Sequence, residues 1–166
     1  MSLADTLIME LEQEAQTTRR VLARVPDDKL TWKPHPKSMC LGELAQHVAT
    51  IPGSISGMAS LDGYDVENFT AQPQPESAVA LVATLDRNVA QAKAALSATV
   101  DADMMTSWSF RMGGRPLMTL PRIGVYRTIL LNHLYHHRGQ LSVYLRLLDV
   151  PVPSIYGPSA DENPFA

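Results

Sequence analysis

The sequence predicts an all-α chain, most simply a four-helix bundle. Four segments repeat apolar residues at steps of three and four, which is helical spacing. Proline and glycine fall between those segments, and only one short stretch alternates as a β-strand does. At 166 residues the chain suits one domain, so residues 1–166 are read as a single unit.

The first helix is expected from Ser2 to Val25, with Leu3, Leu7, Leu11, Ala15, Thr18 and Leu22 on one stripe. Pro26-Asp27-Asp28 ends it. The run LTWKPHPKSM carries two prolines around His35 and cannot be regular helix, so it reads as a connection anchored by Trp32. A second helix starts near Ser38, a suitable cap, and turns Leu41, Leu44, Ala45, Val48, Ile51 and Ile55 to one side. Pro52 removes a hydrogen bond there and is expected to bend it. From Gly63 to Pro75 the chain reads as loop. The third helix runs from Ser77 to Ala98 with Leu81, Leu85, Val89 and Leu96 inward.

Trp108, Phe110 and Met112 alternate, Gly113-Gly114 makes a tight turn, and Leu117 begins a return strand. This predicts a short β-hairpin near 107–118. Leu120 to Leu148 forms the longest helix, with Thr119 as N-cap and Pro121 in the first turn. The tail VPVPSIYGPSADENPFA is too rich in proline for helix and is expected to wrap the bundle.

Composition narrows the function classes. Hydrophobic residues at 45% and charged residues at 19% describe a folded globular chain. A net charge of −3 argues against general nucleic-acid binding, which rests on clustered positive charge. No stretch approaches the ~20 apolar residues that cross a bilayer. The N-terminal segment carries Asp5, Glu10, Glu12 and Glu14 where a signal peptide would be apolar, so the expected compartment is the cytoplasm. The one cysteine, Cys40, excludes an intramolecular disulfide and a Cys-rich zinc site. It reads as a small apolar residue, and the eight methionines read as core gap-fillers.

Metal or acid–base chemistry must therefore lean on the five histidines. Phased at ~100° per residue, Ile123, Tyr126, Leu130, Leu134, Leu141, Tyr144 and Leu148 define an inward arc of the last helix. His133 and His137 fall inside it, His137 near its middle, and His136 lies on its flank. Residues i and i+4 stack one above the other, so the two imidazoles can converge on one ion. Two readings of the pair stand: core histidines satisfied by backbone or hydroxyl groups, and an ion-binding pair. Leu134 occupies the place where a HExxH protease needs its glutamate, which argues against a metalloprotease. His47, at the edge of the second helix's apolar face, is the best third ligand, with Glu43 either orienting it or solvated at the helix start. His35 is assigned to the surface. Gly139, inside the helix, suggests close helix packing, and Gln140 lies on the His133 side. Three imidazoles would leave open positions on a divalent ion, as catalytic sites do.

These residues also carry a resemblance. Asn132 to Glu162 (NHLYHHRGQLSVYLRLLDVPVPSIYGPSADE) and Trp32 to Ala49 (WKPHPKSMCLGELAQHVA) look like the two signatures of the DinB-like, damage-inducible superfamily. The resemblance spans essentially the whole chain. It implies a four-helix bundle with one long crossover connection, often a homodimer, that binds a divalent metal, commonly nickel or zinc, through three histidines. Carried over position by position, those are His47, His133 and His137. Some relatives are thiol S-transferases using bacillithiol, mycothiol or glutathione, and others resemble maleylpyruvate isomerases.

The leading expectation is a metal-dependent enzyme that transfers a low-molecular-weight thiol to an electrophile. Its pocket would be shaped by the Trp32 loop and the hairpin at Trp108, with Gln140 and Tyr144 as pocket residues and no catalytic side chain identified. The partner is then a small molecule rather than a nucleic acid or a membrane. A metal-water hydrolase and a non-catalytic, stress-associated metal-binding bundle are the alternatives.

Overall fold

A computed structural model describes residues 1–70 and 72–165. Helix α1 spans Leu3–Leu22, and Ser2 and Asp5 cap it reciprocally. Helix α2 spans Leu41–Ala59. A short strand β1, Gly63–Asp65, precedes helix α3, Ala78–Ser97, whose N-cap is Ser77. After the single turn α4, Asp101–Met104, come strands β2, Ser107–Met112, and β3, Arg115–Pro121. The last helical run begins with the turn α5, Arg122–Gly124, passes through a π-helical segment, Val125–Asn132, and continues as α6, His133–Leu147.

The molecule is thus mostly helical with a small sheet, and the all-α expectation is corrected by three strands in the order β1-β2-β3. The hairpin β2–β3 stands where alternation placed it. Gly113 and Gly114 take φ of 55° and 76°, the paired left-handed conformation of a tight hairpin turn. Strand β1 lies within the segment expected to be loop. It pairs parallel to β2, with Gly63 opposite Ser109, and the Asp65 carboxylate accepts the Gly114 N–H at 2.8 Å, holding the hairpin tip. A strand this short has no periodicity to betray it.

The four long helices share one core. Helix α3 packs on α1 and α2, and the last helix packs on α2 and α1, whereas α1 scarcely meets α2 and α3 scarcely meets α6. Leu7, Leu11, Leu22, Leu44, Val48, Leu85, Leu134 and Leu141 are all buried, as their spacing predicts. The methionines are a correction: Met58 and Met104 are buried, while Met1, Met9, Met39, Met105, Met112 and Met118 are exposed.

Helix starts account for further differences. Helix α2 is capped by Cys40 rather than Ser38: the Glu43 N–H donates to Cys40 Sγ at 3.4 Å, and the Cys40 N–H donates to the Glu43 carboxylate at 2.6 Å. The last run is entered from Pro121, because Thr119 is committed to β3, where its hydroxyl meets that of Ser109 at 2.9 Å. The tail is non-helical, as expected, and is tied down by ion pairs of Glu162 with Arg20 and Asp161 with Arg146.

One core polar atom is unmatched. The Tyr126 hydroxyl is buried without a hydrogen-bond partner among the described residues. The adjoining gap, between Leu7, Leu11, Leu96 and Leu130, is too narrow for a water. An orphaned hydroxyl costs ~1–3 kcal/mol. Tyr126→Phe is accordingly expected to stabilise the fold by about 1 kcal/mol, raising Tm by roughly 2–4 °C in a calorimetric scan. A lowered Tm would show that the hydroxyl has a partner.

Candidate metal centre

Helix α2 supplies His47, and α6 supplies His133 and His137 one turn apart, on the flank where the two helices meet. The ligand-capable atoms of the three imidazoles lie within 4.8 Å of one another. His47 Nε2 and His133 Nε2 are 3.2 Å apart. The ring centroids of His47 and His137 are 4.6 Å apart, and those of His133 and His137 are 4.5 Å apart.

Whether this triad suits a metal turns on which nitrogens hold lone pairs. His133 Nδ1 sits 3.2 Å from the Ile129 carbonyl and His137 Nδ1 sits 2.7 Å from Gln140 Oε1. Both partners are acceptors, so each Nδ1 carries the proton and each Nε2 is left with its lone pair. Outward Nδ1–H bonds of this kind accompany metal-binding histidines. Two nitrogens 3.2 Å apart also match two ligands of a common ion at about 2.0–2.1 Å each. The donor set fits a divalent ion.

Electrostatics keeps the ligands unprotonated. Burial pushes His47 down to about 4, with the neighbouring His137 and His133 adding to the shift. Burial is also the main cause lowering His133, with His137 next, and it lowers His137. These depressed values make a claim about stability. An unfolded imidazole binds a proton near pH 6.5, whereas folded His47 resists protonation until about 4, so acid favours the unfolded chain across that window. Protein stripped of metal by a chelator is expected to lose thermal stability progressively from about pH 6.5 downward, above the range where carboxylates titrate. A flat Tm between pH 6.5 and 5 would contradict the burial of this triad.

The π-helical segment prepares the site. Within it Val125, Tyr126, Leu130 and Leu131 are buried, and its wider turn shifts the phase with which α6 enters the bundle. Past it, the buried row is Leu134, Arg138, Leu141 and Leu145. His133 and His137 therefore sit half-buried on the flank of the core rather than at the middle of the inward arc.

The remaining candidates separate. Gln140 is exposed and acts on His137 through its hydrogen bond. Tyr144 packs edge-on against Trp32, with centroids 5.7 Å apart, and donates to the Met39 carbonyl at 3.3 Å, bracing the connecting loop. Glu43 makes its bond to the helix cap, and that bond holds its carboxyl below the usual range. His136 and His35 are exposed, and neither belongs to the cluster. Trp108 is core, its indole N–H donating to the Met58 carbonyl at 3.2 Å, and Phe110, two residues on, is the hairpin side chain that reaches the cleft. Gly139 is a correction, because a Cβ there would meet nothing within 4 Å among the described residues, so it serves no close packing between them.

Two cavities open onto the triad. One, of about 550 Å³, includes Lys37, Glu43, Gln46, His47 and Gln74 in its wall. The other, of about 260 Å³, lies against His47 and His133 and is walled by Ile51, Ile55, Met58, Phe110 and Ile129. Among the described residues, no helix is long and apolar enough to cross a membrane.

Comparison with known proteins places this geometry. An uncharacterized protein, YrdA, of Bacillus subtilis strain 168 is 27% identical over 163 residues, which is 95% of this chain and 90% of that protein. The crystal structure of a DinB-like protein from Bacillus cereus ATCC 10987 superposes with a TM-score of 0.72 at 26% identity, covering 92% of this chain and 97% of that one. A second DinB-like structure, YjoA of Bacillus subtilis, shares the fold at a TM-score of 0.66 and 16% identity, covering 87% of this chain and 92% of its own. The model of the DinB family matches residues 1–164, and the chain belongs to that family.

Proposed function

We propose that this protein is a metal-dependent transferase that joins a low-molecular-weight thiol to an electrophile, with His47, His133 and His137 holding one divalent ion, nickel or zinc. The observation that carries the reading is the convergence of three imidazoles, two of them with Nε2 left as acceptor, beside a two-sided cleft that His47 and His133 line. When bound, the ion supplies Lewis acidity that lowers the pKa of a thiol. The chain's own residues do the rest: Gln140 and the Ile129 carbonyl fix the imidazole tautomers, and the cleft walls orient both reactants. Cys40 is buried and lies at the α2 cap, so the sulfur in the reaction comes from the substrate.

The test is metal analysis of untagged protein, followed by assay of the loaded protein against a panel of thiols and model electrophiles. One equivalent of divalent ion and thiol-dependent loss of electrophile are expected. Metal without turnover across the panel would leave a non-catalytic metal-binding bundle. The homodimer belongs to the same proposal: Val143 and Leu147 expose apolar surface along α6, and light scattering should read twice the chain mass.

A further inference from the structure

The two cavities differ in chemistry as well as place. The smaller presents Ile51, Ile55, Met58, Phe110 and Ile129, with the half-buried hydroxyl of Ser54 among them. At about 260 Å³ it exceeds the ~150 Å³ that accommodates benzene in an apolar protein cavity. The larger has more polar groups in its wall, including the Lys37 side chain and the amides of Gln46 and Gln74. Gln46 is the telling residue. It is 8% exposed, yet its side-chain amide has no hydrogen-bond partner among the described residues and it lines this cavity. Its amide atoms are not fully enclosed, since Tyr126 Oη is the enclosed unpartnered side-chain atom among the described residues, so its donor and acceptor stay open to a group in the cavity. Neighbouring Thr50 shows the contrast, since its one hydroxyl proton is shared between the Gln46 and His47 carbonyls at 3.0 and 3.1 Å.

His47 belongs to both walls, so a group in either compartment lies beside the same imidazole. We infer that the cleft is divided by function: the apolar compartment takes a compact aromatic or alkyl group of the electrophile, and the Gln46 compartment takes a co-substrate bearing amides or carboxylates. This deepens the transferase reading and rests on it. Lys37 supplies a positive charge for a carboxylate, and Gln46 offers both a donor and an acceptor to a peptide-like amide. The smaller compartment has fewer polar groups in its wall, Ser54, Thr70 and Gln72 among them, so it selects mainly by size and apolar contact.

The experiment reads binding without turnover. The full chain is titrated with 4-fluorotoluene, followed by fluorine NMR, and with S-methylglutathione, followed by calorimetry; the blocked sulfur keeps the second probe from reporting on the metal. Ser54→Phe fills the apolar compartment and should abolish fluorotoluene binding while leaving S-methylglutathione unchanged. Gln46→Leu should weaken S-methylglutathione roughly 5-fold or more, the worth of one lost hydrogen bond, and leave fluorotoluene unchanged. Phe110→Ala, which removes wall without adding bulk, should weaken fluorotoluene alone and guards against misfolding of the filled variant. If both probes respond alike to each substitution, or if neither probe binds, the division is wrong. If the binding pattern holds but no thiol transfer occurs, the compartments stand and the transferase reading falls.

Discussion

Replacing His47, His133 or His137 with alanine is expected to lower metal affinity by more than ~100-fold, since each removes one of the three imidazoles proposed to hold the ion. Mass-spectrometric metal analysis of untagged protein should find about one equivalent in the parent chain and essentially none in each variant. The three side chains are half-buried at the cleft rather than in the core, so the variants should fold. Gln140→Leu should fall between, by ~10–100-fold, because it frees the His137 ring without removing a ligand. His136→Ala should change nothing, as its exposed ring lies outside the cluster. A variant lacking one of the triad that still carries a full equivalent would place the ion elsewhere.

That graded series follows from a site legible in the sequence for a physical reason. The spacing of four between His133 and His137 is one helical turn, and His47 lies on the apolar edge of another helix, so phase alone brings the three toward each other. The exact surroundings were not legible. Phasing the last helix as one continuous α-helix put His137 at the middle of the inward arc, whereas the π-helical segment resets the phase and moves it to the flank. No residue type marks a π turn. Strand β1 escaped for a related reason: its partner Ser109 is far along the chain, and a three-residue strand shows no alternation.

The deepest omission is a charge in the core. Arginine is a residue type found mostly at the surface, yet Arg138, directly after His137, is 1% exposed. One helical step turns it about 100° from His137 and into the bundle, where Glu14 of α1 waits, also buried. Arg138 Nη1 meets Glu14 Oε2 at 2.6 Å and donates to Thr18 Oγ1 at 3.2 Å. Nη2 donates to Tyr156 Oη at 2.7 Å, and Tyr156 in turn donates to Glu14 Oε2 at 3.0 Å. The guanidinium also lies over the rings of Tyr135 and Tyr156, at 5.5 and 5.1 Å from their centroids. Only the tertiary fold shows the pairing, since Arg138 and Glu14 are remote in sequence.

Breaking this network is expected to be the most damaging change to stability. Glu14→Ala leaves an uncompensated charge in the core, at a cost of about 3–5 kcal/mol. For a chain of this length that should lower Tm by roughly 6–20 °C in a thermal melt. Arg138→Met alone should be comparably harmful, because it strands the carboxylate instead. The double variant Glu14→Leu with Arg138→Met removes both charges together. It should recover most of the loss, since an apolar replacement of a buried pair is often neutral or better. A double variant as unstable as the singles would mean that the hydrogen bonds to Thr18 and Tyr156, rather than the ion pair, hold α1, α6 and the tail together. Either way the triad should feel the change: the network's arginine is chain neighbour to His137, so a loosened α6 would lower metal affinity in step with Tm.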